Sequence, residues 1–344
     1  MSVRVRPLDA ATEGAWDAFV RSRPEATFFH LSPWRHVIAG AFRHPTHYAV
    51  AEQDGDVVGV LPLARMRTLL FGDLLASTPF CVYGGPVAAT PEAAAALETH
   101  ALDEQRRLGA ACLEFRRLHA PDPGWDVRPP LHHTFRKAIT GNAEADLKAI
   151  PRKQRAVVRK GLGNGLTTVV NGDTDTLHRV YAESVRNLGS PVFPRRYFRL
   201  LGEAFPGAHD VTTVLHEGRP VASVLNFHFR DEVLPYYGGG TPAARGLAAN
   251  DVMYWDTMRR AGAERGARIF DFGRSKAGTG AFDFKRNWGF EATPLHYCYR
   301  LRPGATLTEN NPKNPRYAAM IALWRRLPLS VANLVGPPLV RGLG

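Results

Sequence analysis

Only three of the 344 residues are cysteine, Cys81, Cys112 and Cys298, far apart and odd in number. That pattern supplies neither a disulfide framework nor a C-x-x-C metal site, and it points to a reducing compartment. The N-terminal stretch MSVRVRPLDAATEGAWDAF lacks the apolar core of a signal peptide, and no run of about 18 apolar residues occurs anywhere. The expectation is a cytoplasmic protein that does not span a membrane. No HExxH, P-loop, dinucleotide fingerprint or nucleophile elbow stands at its proper spacing, which argues against metal, ATP, hydride and serine-hydrolase chemistry. Neither a metal ligand set nor a tightly bound cofactor is expected.

What the chain does have is positive charge. Lys and Arg outnumber Asp and Glu by 44 to 32, a formal charge of +12, and the pI is near 9.9. This favours a polyanionic partner such as nucleic acid, a nucleotide-linked precursor or anionic lipid, with a solvated Arg-rich surface as the plain alternative. A hydrophobic content of 44% lets each of two domains of about 150 residues bury its own core.

An internal repeat organises the chain. EGRPVASVLNFHF (217–229) repeats DGDVVGVLPLARM (54–66), LPYYGGG (234–240) repeats VYGGP (82–86), and MYWDTMRRAGAERGARIFDFG (253–273) repeats ALETHALDEQRRLGAACLEFR (96–116). The order each time is hairpin, strand, helix, strand, which gives an α/β fold made by duplication. Between the repeats, Ala145 to Lys160, Asp173 to Leu188 and Arg195 to Phe205 read as helices. The expected segments are therefore 1–140, a helical basic connector 141–205, 206–302, and a Pro/Gly-rich tail 303–344. In the connector, Arg152, Lys153, Arg155, Arg159 and Lys160 share or flank one helix face, a stripe able to cradle phosphate or RNA, or else a solvated basic helix. The tail packs across the domains in one reading; in a second, residues 317–344 give peripheral contact with the inner face of a membrane.

The stretch IFDFGRSKAGTGAFDFKRNWGFE (269–291) reads as strand, cationic loop, strand. Gly278 and Gly280 can turn backbone N–H groups toward an anion, and Arg274, Lys276, Lys285 and Arg286 bring charge to the same spot. Through FDFGRSK, GTG and the Phe284-Lys285 pair followed by Trp288-Gly289-Phe290, the sequence resembles the Fem family of aminoacyltransferases, which are built from paired GNAT-type acyltransferase folds. Within that family it is most similar to the FemAB-like branch associated with exosortase and PEP-CTERM systems.

The resemblance implies two tandem GNAT-like domains. It also implies transfer of an aminoacyl group from aminoacyl-tRNA to an amine of an anionic envelope precursor, in peptidoglycan or exopolysaccharide biogenesis. It assigns Lys285, with Phe284, to stabilising charge on the ester oxygen. Candidates for a base are Asp251, Asp271, Asp283 and His228, with Asp271 pointing inward from its strand. Tyr236, Tyr237 and Trp255 could line an acyl or sugar slot, although aromatics beside glycine serve equally in packing. The segment GGGTPAARGLAAND (238–251) stands where a GNAT pyrophosphate loop belongs and offers Arg245 and Asn250, but its spacing departs from the acyl-CoA pattern. Long helical insertions for tRNA contact are missing as well. Two alternatives therefore stand beside aminoacyl transfer: an acyl-CoA-dependent N-acyltransferase acting on an amino sugar or polysaccharide precursor, and a non-catalytic module binding RNA or nucleotide-sugar.

Overall fold

Asp54 and Gly55 both take positive φ, 55° and 91°, the two-residue turn that Asp-Gly favours. The flanking residues accordingly close into the expected antiparallel hairpin, Ala49–Gln53 with Asp56–Leu61. In the computed structural model, which describes residues 2–68, 72–118, 124–127, 130–306 and 315–343, the chain divides into two units. One comprises residues 1–131, 294–310 and 341–344, the other residues 132–293 and 311–340.

The first unit contains β1 (Arg4–Pro7), α1 (Glu13–Ser22), α2 (Trp34–Phe42), β2 (Ala49–Gln53), β3 (Asp56–Leu61), β4 (Leu63–Thr68), β5 (Gly72–Ser77), β6 (Val87–Ala88), α3 (Pro91–Leu108), β7 (Cys112–Arg117) and β8 (Asp126–Val127). Pro62, which has no N–H to give a ladder, separates β3 from β4 and with them two sheets, β1-β2-β3-β6 and β4-β5-β7. The second sheet continues through the strand His296–Leu301 to β8. Helix α3 begins where Thr90 Oγ1 accepts from the Ala93 N–H at 3.2 Å and ends at Gly109, φ 67°. Leu61, Leu75, Leu97, Leu113 and Phe115 fill the core. Beside it lies a buried ion pair: Arg116 Nε donates to Glu114 at 2.7 Å and Nη1 to the Cys81 carbonyl at 2.9 Å.

The second unit contains β9 (His132–Thr134), β10 (Arg136–Ala138), α4 (Ala143–Ala149), α5 (Arg152–Leu162), β11 (Leu166–Asn171), α6 (Thr174–Leu188), α7 (Arg195–Ala204), β12 (His209–His216), β13 (Arg219–Phe229), β14 (Glu232–Gly240), α8 (Pro242–Leu247), α9 (Ala249–Arg265), β15 (Ile269–Asp271), β16 (Ser275–Lys276), α10 (Gly280–Asn287), α11 (Pro315–Arg326) and α12 (Leu329–Val340). Its sheet runs β10-β15-β14-β13-β12-β11, antiparallel throughout except that β14 and β15 are parallel. The same crossover occurs in both units, β5-α3-β7 and β14-α9-β15, each joining parallel strands through a helix. The repeat seen in the sequence is thus a repeat of topology.

Several expectations are corrected by backbone hydrogen bonding. Residues 141–205 are no separate connector: β11 pairs with β12 as the sheet's edge, and α6 packs on β13 and β14. The strand His296–Leu301 pairs with β7 of the first unit and so does not close the second. The single helix expected over Ala145 to Lys160 is two, because Pro151 cannot donate an N–H and Ile150 before it is extended, φ −72° and ψ 134°. Beyond Gly278 the chain is helical where a strand was expected. Thr279 caps α10 by accepting from the Phe282 N–H, and Phe284 and Trp288 stand one turn apart, a spacing of four that alternation in the sequence had masked.

Candidate functional site

β14 and β15 pair at only two positions, Glu232 with Ile269 and Val233 with Phe270. β15 then stops at Asp271 while β14 runs on to Gly240, so from Leu234 onward one edge of β14 has no strand beside it among the described residues. The far end of β14 is glycine at 238, 239 and 240 because helices press on it from both faces. A Cβ on Gly239 would lie 2.5 Å from Ser184 Cβ of α6. On the opposite face, a Cβ on Gly238 would lie 3.0 Å from Tyr254 Oη and one on Gly240 2.7 Å from Asn250 Oδ1, both of α9. None of the three takes positive φ; they let α6 and α9 approach the strand.

Where these helices converge there is a cleft of about 530 Å³. Ser184, Asn187 and Leu188 line it from α6, Gly240 to Pro242, Ala244, Arg245 and Ala248 from the end of β14 and from α8, Asn250 and Asp251 from the first turn of α9, and Gly280 and Phe284 from α10. Asp251 is the chemically distinctive member. The residue is only 8% exposed, and Oδ1 accepts from Trp288 Nε1 at 3.1 Å and from Gln154 Nε2 of α5. Burial pushes this carboxyl above its ordinary range, and the two hydrogen bonds only partly offset that. A carboxylate in a cleft with raised proton affinity is suited to accept a proton from an attacking amine. Asn250 Oδ1 nearby is buried without a hydrogen-bond partner among the described residues, and Arg245 is exposed on the cleft wall.

Of the residues singled out from the sequence, Phe284, Gly280, Arg245, Asn250 and the candidate base Asp251 come together here. Lys285 does not line the cleft. Its Nζ donates to three successive carbonyls, Phe272 at 2.6 Å, Gly273 at 3.1 Å and Arg274 at 3.0 Å, and lies 5.4 Å from the Phe135 ring centre. In the ammonium form all three protons are used, so Lys285 clamps the loop after β15 and is not free to meet an oxyanion. Burial pushes it down to about 7, with Asp271 pulling the other way.

Asp271 is fully buried; Oδ1 accepts from the Gly273 N–H at 2.7 Å and Oδ2 lies 3.4 Å from Arg136 Nε. It shapes the same loop. Arg274 is half-buried there, Lys276 pairs with His132 across β16 and β9, and Gly278, φ 75°, is exposed. Tyr237 belongs to an aromatic core, its hydroxyl 2.8 Å from that of Tyr197, with Tyr236 stacked edge-on against it; Trp255 is buried among Phe270, Phe272 and Trp288. His228 pairs with Asp210 at 2.7 Å, away from the cleft, and Asp283 is exposed.

The basic helix α5 packs on α9 through Gly161, where a Cβ would meet Val252 Cγ2 at 2.7 Å, and this packing carries Gln154 to Asp251. Arg152, Lys153, Arg159 and Lys160 are exposed, and Arg155 donates to the Lys148 carbonyl at 2.7 Å. Ser184, Asn187, Thr241 and Gln154 were missed by sequence reading. Only their tertiary placement distinguishes them from any polar residue at a helix end.

Residues 148–286 match a family described as acetyltransferase (GNAT) domain. This part of the chain is a GNAT acyltransferase domain. Among solved structures the chain is similar to FemX at 16% identity and a TM-score of 0.69, over 87% of this chain and 97% of that one. It is similar also to a tandem GNAT protein from the clavulanic acid biosynthesis pathway, solved without AcCoA (15%, TM-score 0.56, over 90% and 100% of the two chains). A third likeness is to L-PGS from Bacillus licheniformis (14%, TM-score 0.53, over 91% and 95%). At these identities the likeness is one of fold, and the fold is the Fem-like tandem GNAT fold expected from the sequence. No curated protein matches the chain in sequence. In this GNAT domain, the open edge of β14 leads to the cleft between α6, α8, α9 and α10.

Proposed function

We propose that the GNAT domain joins an acyl group to an amine in the cleft beside Asp251, and that the donor is an aminoacyl ester of tRNA and the acceptor an amine of an anionic cell-envelope precursor. The observation that carries this reading is Asp251, a buried carboxylate of raised proton affinity lining a cleft of about 530 Å³. The amine nitrogen attacks the ester carbonyl carbon, its proton passes to the Asp251 carboxylate, and the C–O bond to the ribose breaks as the departing oxygen takes a proton. Trp288 and Gln154 hold the carboxylate in place throughout. The exposed cations of α5, linked to the site by Gln154, supply a surface for the tRNA backbone. A structure of similar fold, described as the C-terminal domain of a putative lysylphosphatidylglycerol synthetase from Agrobacterium fabrum, is in keeping with an envelope acceptor.

A second reading replaces the donor with acyl-CoA. It is favoured by the free edge of β14 beyond Val233, whose N–H and C=O groups can pair with the amides of an extended carrier arm. Labelled aminoacyl-tRNA and labelled acyl-CoA offered in parallel, against extracted envelope precursors, decide between them. In Asp251→Asn, which keeps the shape and the contacts of Oδ1, turnover with the accepted donor falls by about 10²–10⁴ and the acidic limb of the pH profile disappears. Turnover within a few-fold of wild type would remove Asp251 as the base; silence with both donors would leave a binding module.

A further inference from the structure

The last two helices carry an apolar surface that the fold leaves open. α12, LSVANLVGPPLV, has no charged residue. Ala332, Gly336 and Val340 lie on one side and are buried, with Gly336 so near the loop after α6 that a Cβ would sit 3.1 Å from the Val192 nitrogen. Nearly opposite are Val331, Leu334 and Val335, exposed to 40%, 76% and 37%. α11 adds Met320 and Leu323, and the end of α6 adds Leu188, all three more than half exposed; Arg325 of α11 donates to the Leu188 carbonyl at 3.3 Å. A helix apolar on two opposite sides, one of them already packed, has a second surface to cover.

Charge indicates what covers it. Residues 311–344 contain Lys313, Arg316, Arg325, Arg326 and Arg341 and no Asp or Glu. We propose that the exposed face of α11 and α12 docks onto an anionic lipid membrane. At 12 residues, α12 is about 18 Å long, too short for a hydrocarbon core of about 30 Å, and among the described residues no helix is long and apolar enough to cross a membrane. It lies in the interface, with Val331, Leu334 and Val335 among the acyl chains and the arginines of α11 at the headgroups. A second copy of the chain would bring the same excess of cations against itself. Leu188 also lines the cleft that holds Asp251, so the docked face adjoins the cleft, where an amine on a lipid-anchored acceptor would be presented. That consequence rests on the acyl-transfer reading; the docking itself does not.

The test is co-sedimentation of the full chain with vesicles of phosphatidylcholine alone or mixed equally with phosphatidylglycerol. Binding is expected on the anionic vesicles and weakens with salt. The double variant Leu323→Glu/Leu334→Glu lowers partitioning roughly tenfold or more, and Arg326→Gln lowers it about fivefold. These side chains are exposed, so melting temperature and turnover of a water-soluble acceptor stay at wild-type values in the double variant, which separates failure of docking from failure of the catalytic reading. No binding to anionic vesicles, or binding undiminished in the double variant, would overturn the proposal. So would a dimer seen by light scattering that the double variant dissolves, which would assign the face to a second copy.

Discussion

Gly239→Ala probes the contact on which the cleft is built. The new methyl carbon would stand 2.5 Å from Ser184 Cβ, 2.7 Å from Ser184 Oγ and 3.6 Å from Tyr181 Cα. Ordinary carbon contact is about 3.5–4 Å, so α6 or β14 has to withdraw by about 1 Å. The withdrawal is resisted: Tyr181 packs edge-on against Phe198 and Tyr237, and the Tyr197 and Tyr237 hydroxyls are hydrogen-bonded behind it. Overpacking of this kind costs about 1–3 kcal/mol, and 2 kcal/mol corresponds to about 4–8 °C in Tm for a unit of this size. Because Asn187 and Leu188 belong to the same helix and line the cleft, turnover falls with stability. Thermal melts of Gly239→Ala, Ser184→Gly and the double variant measure the coupling. The double variant should recover at least half the loss, whereas Ser184→Ala, which keeps the offending Cβ, should recover little. A Gly239→Ala protein melting at the wild-type temperature, or a double variant no better than the single, would refute the account of the glycine run.

Three further outcomes follow from the geometry. Folded Lys285 titrates near 7 against an ordinary value of 10.5, so between those values the unfolded chain holds a proton the folded chain has released, and its contribution to stability rises with pH across that window and is lost as pH falls through 7. The stability difference between wild type and Lys285→Met, followed by denaturant melts at pH 6 and pH 9, should shift in favour of wild type at the higher pH; a difference independent of pH would contradict it. Glu114→Ala strands the Arg116 guanidinium, 2% exposed, and should cost about 3–5 kcal/mol, with Arg116→Met/Glu114→Leu recovering much of it; a loss below about 1 kcal/mol would mean the pair is hydrated. For tRNA binding, Lys153→Gln and Arg159→Gln should each flatten the dependence of log affinity on log salt by about one unit; an unchanged slope would remove α5 from the contact surface.

Residues whose behaviour depends on near neighbours were readable from the chain. Asp54-Gly55 demanded its turn, Gly109 ended α3, and the repeated order of hairpin, strand, helix and strand specified a duplicated α/β fold, because turns, caps and periodicity act over a few residues. The FDFGRSK and Phe284-Lys285 stretch likewise marked the right family of folds. The site was only half legible. Phe284, Gly280, Arg245, Asn250 and the candidate base Asp251 were singled out and do meet, yet the centre passed from Lys285 and Asp271 to Asp251. Nothing in the order of residues says that Lys285 will find three carbonyls within reach, or that Trp288 and Gln154, 134 positions apart, will hydrogen-bond one carboxylate oxygen. Proton affinity depends on burial and on partners brought from distant segments, and those exist only once α5, α9 and α10 have packed. By itself the sequence determined the local elements and their repeat; the tertiary structure decided which lysine is a clamp and which aspartate has the chemistry.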